Sequence, residues 1–297
     1  MNNKIAITTG DPNGIGAEIT IKALNKLGLT PNKCIIISNK KILDFYGELS
    51  NDYEIIEIPY DQKIEPGKVS IFAGEFSFQS VKKACEMNVK AIVTAPVAKN
   101  ALYLAGHKFN GQTEILQKYL AKDGQLAEML FVAGKFRVLL LTRHVALKNI
   151  SLTKDLVIEK ITNLNEFFES KLNIKTPHFA LCAFNPHAGE DGILGTEEIE
   201  ILKPAVEILK KKGINITNPL PADTLFSKAT NYDCCIANYH DQGLIPIKTI
   251  AGDKTVNMTI GLDIIRTSPG HGTAFDIAGK NIADPTGMIE AIKCALS

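Results

Sequence analysis

Three histidines stand directly after apolar, β-branched runs: His144 closes RVLLLTRH, His187 closes HFALCAFNPH and His240 closes DCCIANYH. If those runs are strands of one parallel sheet, the three imidazoles lie on the same edge and can converge. Three imidazoles around a divalent ion with open positions form a recurrent catalytic arrangement. Each histidine taken alone is an ordinary hydrogen-bonded loop residue, and the repetition is what points to a metal. His107 and His178 lack that context and read as surface or turn residues. His271 lies between glycines in SPGHGTAFD, where a bare backbone can approach a ligand closely. Gly270, His271 and Gly272 are therefore candidates for contact with a cofactor.

A second set of residues suits an anion. FNGQTEIL opens a helix at Gln112 and Thr113, where free backbone N–H groups can receive a phosphate. Plain capping by Thr113, with Glu114 complementing the helix dipole, is the alternative. Downstream, GLIPIKTIAGDKTVNMTIGLDIIRTSPGHG carries Lys248, Asn257 and Arg266. Lys248 and Arg266 flank apolar segments, and the two together in a cleft suit a phosphate or carboxylate; solvation at the surface is the blander fate. PLPADTLF sets Asp223 and Thr224 in a rigid turn after two prolines, with capping as the bland alternative. YHDQGLIPIKT reads as the polar rim of the site, with His240 facing the ion and Lys248 an anionic tail.

The glycine loop TTGDPNGIGAEI lies between a strand and a helix, but its spacing is G-x-x-x-G-x-G and not the dinucleotide fingerprint G-x-G-x-x-G. No acidic residue closes the second strand, KCIIISNK. A Rossmann fold is excluded on both counts, and the loop is kept as a tight strand-to-helix turn.

These residues need elements to position them. KIAITT, KCIIIS, AIVTAPV, HFALCAF and YDCCIANY read as strands, and they alternate with helical patterns such as 17–27, KKILDFYGEL, EILQKYLAK, LTKDLVIEKITNLNEFFESKL and EIEILKPAVEILKKKG. AEMLFVAG and FRVLLLT read as a hairpin turning at Gly134 and Lys135. Such alternation implies an α/β fold with a mainly parallel sheet and helices on both faces, and ligands outside the carboxyl ends of the strands. The 297 residues suffice for one large or two moderate domains. A net charge of +1, from 33 basic and 32 acidic residues, leaves no electrostatic footprint for nucleic acid or a membrane surface. The six cysteines form no CxxC pair, and Cys182, Cys234 and Cys235 sit in apolar runs as small hydrophobes, so a reducing compartment is expected. With no leader pattern and no apolar stretch of about 20 residues, the expected location is the cytoplasm.

Taken in order, TTGDPNGIGAEI, VTAPVAK, FNGQTE, NPHAGEDGILGTEE, PLPADTLF, YHDQGLIPIK and VNMTIGLDIIRTSPGHGTAFDIAG resemble the 4-hydroxythreonine-4-phosphate dehydrogenase (PdxA) family from the first strand to the last helix. The resemblance implies a two-domain α/β/α sandwich like isocitrate and isopropylmalate dehydrogenases, binding NAD or NADP without a Rossmann motif. It implies a discontinuous first domain of 1–112 plus 262–297 and a second of 113–261 that carries a dimer interface. The homodimer would place its active sites at the subunit interface. The family's metal ligands fall on His144, His187 and His240, one supplied across the dimer, for one zinc, magnesium or cobalt ion. Its substrate positions fall on Gln112, Thr113, Lys248, Asn257 and Arg266.

The implied reaction oxidises 4-phosphohydroxy-L-threonine to a 3-oxo acid that decarboxylates to 3-amino-2-oxopropyl phosphate, in pyridoxine 5'-phosphate synthesis, with Lys248 or Asp223 moving protons. Relatives that oxidise 4-phosphorylated threonate or erythronate, or carboxylated aromatic cis-diols, are the nearest alternatives. A phosphate acetyltransferase-like activity fits less well, since it needs no triad of histidines. The sequence departs from the family at Gln112, where better-known members carry His. Gln can hydrogen-bond a phosphate, but it carries no charge.

Overall fold

The computed structural model describes residues 3–297. The chain divides into two compact units, Met1–Ala127 with Asp253–Ser297, and Glu128–Gly252. The first unit opens with β1 (Ile5–Thr8), α1 (Gly16–Leu27), β2 (Cys34–Ser38), α2 (Lys40–Tyr46), β3 (Glu54–Glu57), α3 (Ile71–Cys85), β4 (Ala91–Thr94), α4 (Lys99–Leu104) and α5 (Gln112–Leu120). The chain then builds the second unit from β5 (Glu128–Ala133), β6 (Phe136–Leu140), α6 (Lys154–Lys171), β7 (His178–Leu181), α7 (Lys203–Lys211), β8 (Asn215–Ile216), α8 (Ala222–Leu225), β9 (Cys234–Ala237) and α9 (His240–Ala251). It returns to the first unit for β10 (Val256–Ile260), β11 (Ile265–Pro269) and α10 (Thr286–Leu296).

The strands of the first unit run in the order β3-β2-β1-β4-β11-β10, parallel but for β10, which is antiparallel to β11. Those of the second run β5-β6-β9-β7-β8, parallel but for the β5–β6 hairpin. β1, β2, β4 and β9 are buried at every position. Continuous apolar runs are what strands covered on both faces require. Helix starts follow local chemistry: Ser70 accepts from the Phe72 N–H at α3, and Thr153 from the Leu156 N–H at α6. The hairpin turns through Gly134 at φ 61°, a conformation that favours glycine.

All but the first residue of YHDQGLIPIKT belongs to α9, whose first residue is His240. Gly and Pro, usual helix breakers, are both tolerated inside it. A Cβ on Gly243 would stand 2.6 Å from Leu140 Cδ2 and 2.8 Å from Val138 Cγ1, so the missing side chain lets the helix lie against β6. Pro246 forfeits one bond to the Gln242 carbonyl, and packing against β5, β6 and β9 holds the helix through that loss.

Candidate active site

In the first unit the residues expected to meet an anion collect around β4 and β11. The register pairs Asn257 with Ser268 and Thr259 with Arg266, which sets all four side chains on one face of the sheet. The Arg266 side chain is 3% exposed, and its Nε and Nη2 both donate to Thr94 Oγ1, at 2.9 and 2.6 Å. Burial lowers its pKa to about 10, while Glu114, an exposed carboxylate in the first turn of α5, acts in the opposite sense. No carboxylate forms an ion pair with it among the described residues. A buried guanidinium with only a neutral partner is costly unless an anion completes it.

α5 begins beside the same strand. Its N-cap, Gly111, has no side chain to satisfy the first N–H groups, so the expected capping by Thr113 does not occur. Gln112 and Thr113 are both buried, and Gln112 Nε2 donates to the Ala95 carbonyl at 3.1 Å. That bond fixes the amide's orientation and leaves Gln112 Oε1 buried without a partner; Asn257 Oδ1 is orphaned too.

The turn between β1 and α1 packs on the β4 end. A Cβ on Gly10 would lie 2.2 Å from the Pro96 carbonyl oxygen, and one on Gly16 2.1 Å from that of Thr9, so two of the three glycines serve close packing. Within the turn, Asp11 is fully buried: its Oδ1 accepts from the Asn13 N–H at 2.8 Å and its Oδ2 has no partner. Burial pushes its pKa up to about 6, and the Asn13 and Ala98 N–H groups pull only partly against it. The segment after β11 meets this turn, with the Ile15 N–H donating to the Thr273 carbonyl at 3.1 Å. Gly270 owes its type to packing, since a Cβ there would stand 2.7 Å from the Thr255 carbonyl oxygen. Gly272 opens on free space, and His271 Nδ1 bonds back to its carbonyl at 3.1 Å. The exposed backbone at Gly272 fits the close approach expected of a cofactor segment.

In the second unit, the pairing of β6 with β9 continues past the strands through Leu141 N–H to Ala237 O and Thr142 N–H to Asn238 O. That extension carries His144 and His240 forward together, and their ring centres lie 5.6 Å apart. Both line a cavity of about 260 Å³ with Arg143, Tyr239 and Asp241. Two imidazoles sharing one tetrahedral zinc at about 2.0–2.1 Å per bond would have centres roughly 5 Å apart. His240 Nδ1 is bonded to Asp241 Oδ1 at 2.6 Å, which leaves Nε2 for a ligand. Both observations fit a metal.

His187 sits on another segment. Residues 187–191 all have positive φ, from 41° to 79°, and form a short left-handed turn. Only Gly189 adopts that conformation without cost. Glu198, buried and at the start of a π-helical turn before α7, holds the base of the turn: its Oε1 accepts from the Phe184 and Asn185 N–H groups, both at 2.7 Å, and its Oε2 from Asn185 Nδ2 at 2.9 Å. His187 Nδ1 bonds Glu190 Oε1 at 2.7 Å, and this bond, with the nearby carboxylates of Glu190 and Asp223, raises its pKa. Among the described residues of one chain, no three potential ligands come together to hold a metal. His144 and His240 meet, and His187 is not with them.

Asp223 is exposed and lines a cavity of about 590 Å³ with Tyr239, Asp241, Gln242 and Ile245. Lys248 lies in the last turn of α9, and eight residues of helix set it roughly 12 Å along the axis from His240. The sequence reading passed over Thr94, Asp11, Glu190, Glu198 and Asp241. Thr94 carried a usable signal, a hydroxyl in the last position of an otherwise apolar strand.

Comparison with known proteins identifies the family. The family described as "Pyridoxal phosphate biosynthetic protein PdxA" matches residues 6–295. A 4-hydroxythreonine-4-phosphate dehydrogenase of Sulfurihydrogenibium sp. is 40% identical, covering 99% of this chain and 97% of its own. A D-threonate 4-phosphate dehydrogenase of Pectobacterium atrosepticum is 37% identical, over 100% and 99%. The crystal structure of a 4-hydroxythreonine-4-phosphate dehydrogenase from Klebsiella pneumoniae superposes with a TM-score of 0.89 at 34% identity, over 99% and 98% of the two chains. Isocitrate dehydrogenase from Methylococcus capsulatus, 15% identical over 99% and 85%, reaches a TM-score of 0.54, which shows the expected non-Rossmann fold alone. The chain belongs to the PdxA family and is an oxidoreductase.

Proposed function

We propose that the protein oxidises 4-phosphohydroxy-L-threonine with NAD or NADP, giving a 3-oxo acid that loses CO2 to yield 3-amino-2-oxopropyl phosphate, as a step in pyridoxine 5'-phosphate synthesis. The observation that carries this reading is Arg266, a buried guanidinium with no carboxylate partner, beside the uncapped start of α5. Together they form a seat for a phosphate. Gln112, Thr113 and Asn257 line that seat, and Lys248 adds charge for the substrate's anionic groups. His144, His187 and His240 would hold one divalent ion, zinc, magnesium or cobalt, and a homodimer would bring His187 of one copy to the other pair. Bound there, the ion would acidify the substrate hydroxyl, and the nicotinamide would accept the hydride.

The chain's own side chains do the rest. Asp241 orients the His240 ring through Nδ1. Asp223 or Lys248 carries the proton at the reacting carbons. The 3-oxo product is a β-keto acid, so the electrons of the breaking C–C bond flow into the ketone as CO2 leaves. His271 and the open backbone at Gly272 contact the cofactor. We place the enzyme in the cytoplasm; no described helix is long and apolar enough to cross a membrane.

A second reading is favoured by a specific observation. Relatives named D-threonate 4-phosphate dehydrogenase are 37% identical to this chain. They differ in the substrate group at C2, a hydroxyl in place of an ammonium. The test is NAD(P)H absorbance with zinc or magnesium, offering the two substrates separately. Turnover of the hydroxyl substrate alone would overturn the first reading in favour of the second, and turnover of neither would remove both.

A further inference from the structure

We propose that Glu190 is a positioning residue for His187, holding its ring in the Nδ1–H tautomer so that Nε2 is bare and directed outward as a ligand. The proposal rests on the metal reading above. Three observations carry it. His187 Nδ1 and Glu190 Oε1 are 2.7 Å apart, although both side chains are largely exposed, 65% and 47%. Exposed pairs of this kind contribute little to folding, so stability alone does not account for the contact.

The second observation is the backbone. A right-handed turn would also set residues three apart on one face, but here the chain takes the left-handed form through His187, Ala188, Glu190 and Asp191, none of them glycine. The buried carboxylate of Glu198 clamps Phe184 and Asn185 at the base of this turn. A Cβ on Gly189 would stand 2.8 Å from Glu198 Oε2, so the glycine lets the turn close over its anchor. The loop is built to present this pair in one geometry.

The third observation is repetition. His240 shows the same pattern on a different element, its Nδ1 bonded to Asp241 Oδ1 at 2.6 Å. Metal-bound imidazoles nearly always give their second nitrogen to a carboxylate or carbonyl, and losing that partner costs about 10–100-fold in metal affinity.

The test uses the whole protein. Imidazole ¹⁵N spectra of the metal-free protein above pH 8 should show His187 as the Nδ1–H tautomer, shifting toward Nε2–H in Glu190→Ala. Zinc titrated against a chromophoric chelator should bind Glu190→Ala about 10–100-fold more weakly than wild type. Glu190→Gln, which still accepts from Nδ1–H, should lose less, and the metal-free unfolding midpoint should stay unchanged in both variants. Unchanged zinc affinity in Glu190→Ala overturns the proposal. So does an Nε2–H tautomer in wild type, or a midpoint that falls together with affinity, which would mark a structural role. A wild type that binds no zinc brings down the metal reading and this inference with it, and the wild-type titration alone separates that failure from the others.

Discussion

Arg266 gives two hydrogen bonds to a single neutral acceptor, the Thr94 hydroxyl, from Nε at 2.9 Å and Nη2 at 2.6 Å. The hydroxyl orients the guanidinium but brings no charge, so no carboxylate ion pair completes it in its buried position. A phosphate in that position would gain charge-assisted bonds of about 1.5–3 kcal/mol each. Arg266→Met should therefore raise the KM for a phosphorylated substrate about 10- to 100-fold with a smaller change in kcat, and it should fold, because it removes a buried charge and keeps the volume. Steady-state kinetics decide the point, and an unaltered KM removes Arg266 from the phosphate seat.

Gln112 commits its Nε2 to the Ala95 carbonyl and keeps its Oε1 buried without a partner. It can give the phosphate a dipole and no charge. Gln112→His, which restores the residue the family resemblance leads one to expect, should lower the KM several-fold at pH 6, where an imidazole is largely protonated, and have little effect at pH 8. The KM measured at both pH values is the check. An equal change at the two would mean that charge at this position is irrelevant.

Why some of this was legible follows from which signals are local. The hairpin through Gly134 and the β1–α1 unit were readable because turn chemistry and period are written in adjacent residues. α9 was not legible because Gly243 and Pro246 carry local signals against a helix, while the reason for the helix is its fit against Leu140 and Val138, about a hundred positions away. The same limit applies at the site. His144 and His240 could be paired from strand ends alone. The partnership of Thr94 with Arg266 depends on the register of β4 with β11, 172 residues apart, and no spacing rule carries it. His187 was grouped with the other two by its place after a strand, whereas the left-handed turn that sets its direction is anchored by Glu198, downstream in a helical pattern.

Asp11 supplies a prediction about stability. Its carboxyl is buried, has no ion-pair partner among the described residues and is pushed up to about 6 from the usual 3.8. Well below pH 4 the group is neutral in folded and unfolded chains alike, and its ionisation adds nothing to the balance. As pH rises through 4 the unfolded chain ionises first, and above 6 the folded state must hold the charge, so stability falls across that window by about 3 kcal/mol. Asp11→Asn keeps the acceptor for the Asn13 N–H and never ionises. Urea unfolding should show it level with wild type at pH 4 and more stable by up to about 3 kcal/mol at pH 8. A difference independent of pH would mean that the carboxyl is not the source.

Gly243 links the fold to the imidazole pair. Its missing side chain admits α9 to the surface of β6 and β9, where an added Cβ would stand 2.6 Å from Leu140 Cδ2 and 3.0 Å from Ala237 Cβ. Leu140, Val138 and Ala237 are all buried, so Gly243→Ala should displace the helix and cost about 1–3 kcal/mol. His240 is the first residue of that helix, while His144 follows β6, so the displacement should widen the 5.6 Å between their ring centres. Zinc affinity should then fall together with the unfolding midpoint. Gly252→Ala makes the comparison, since that residue follows α9 at φ 53° with no atom near an added Cβ. It should lower the midpoint through backbone strain and leave zinc binding unchanged. Equal zinc affinity in both variants would show that the imidazole pair does not depend on how α9 is seated.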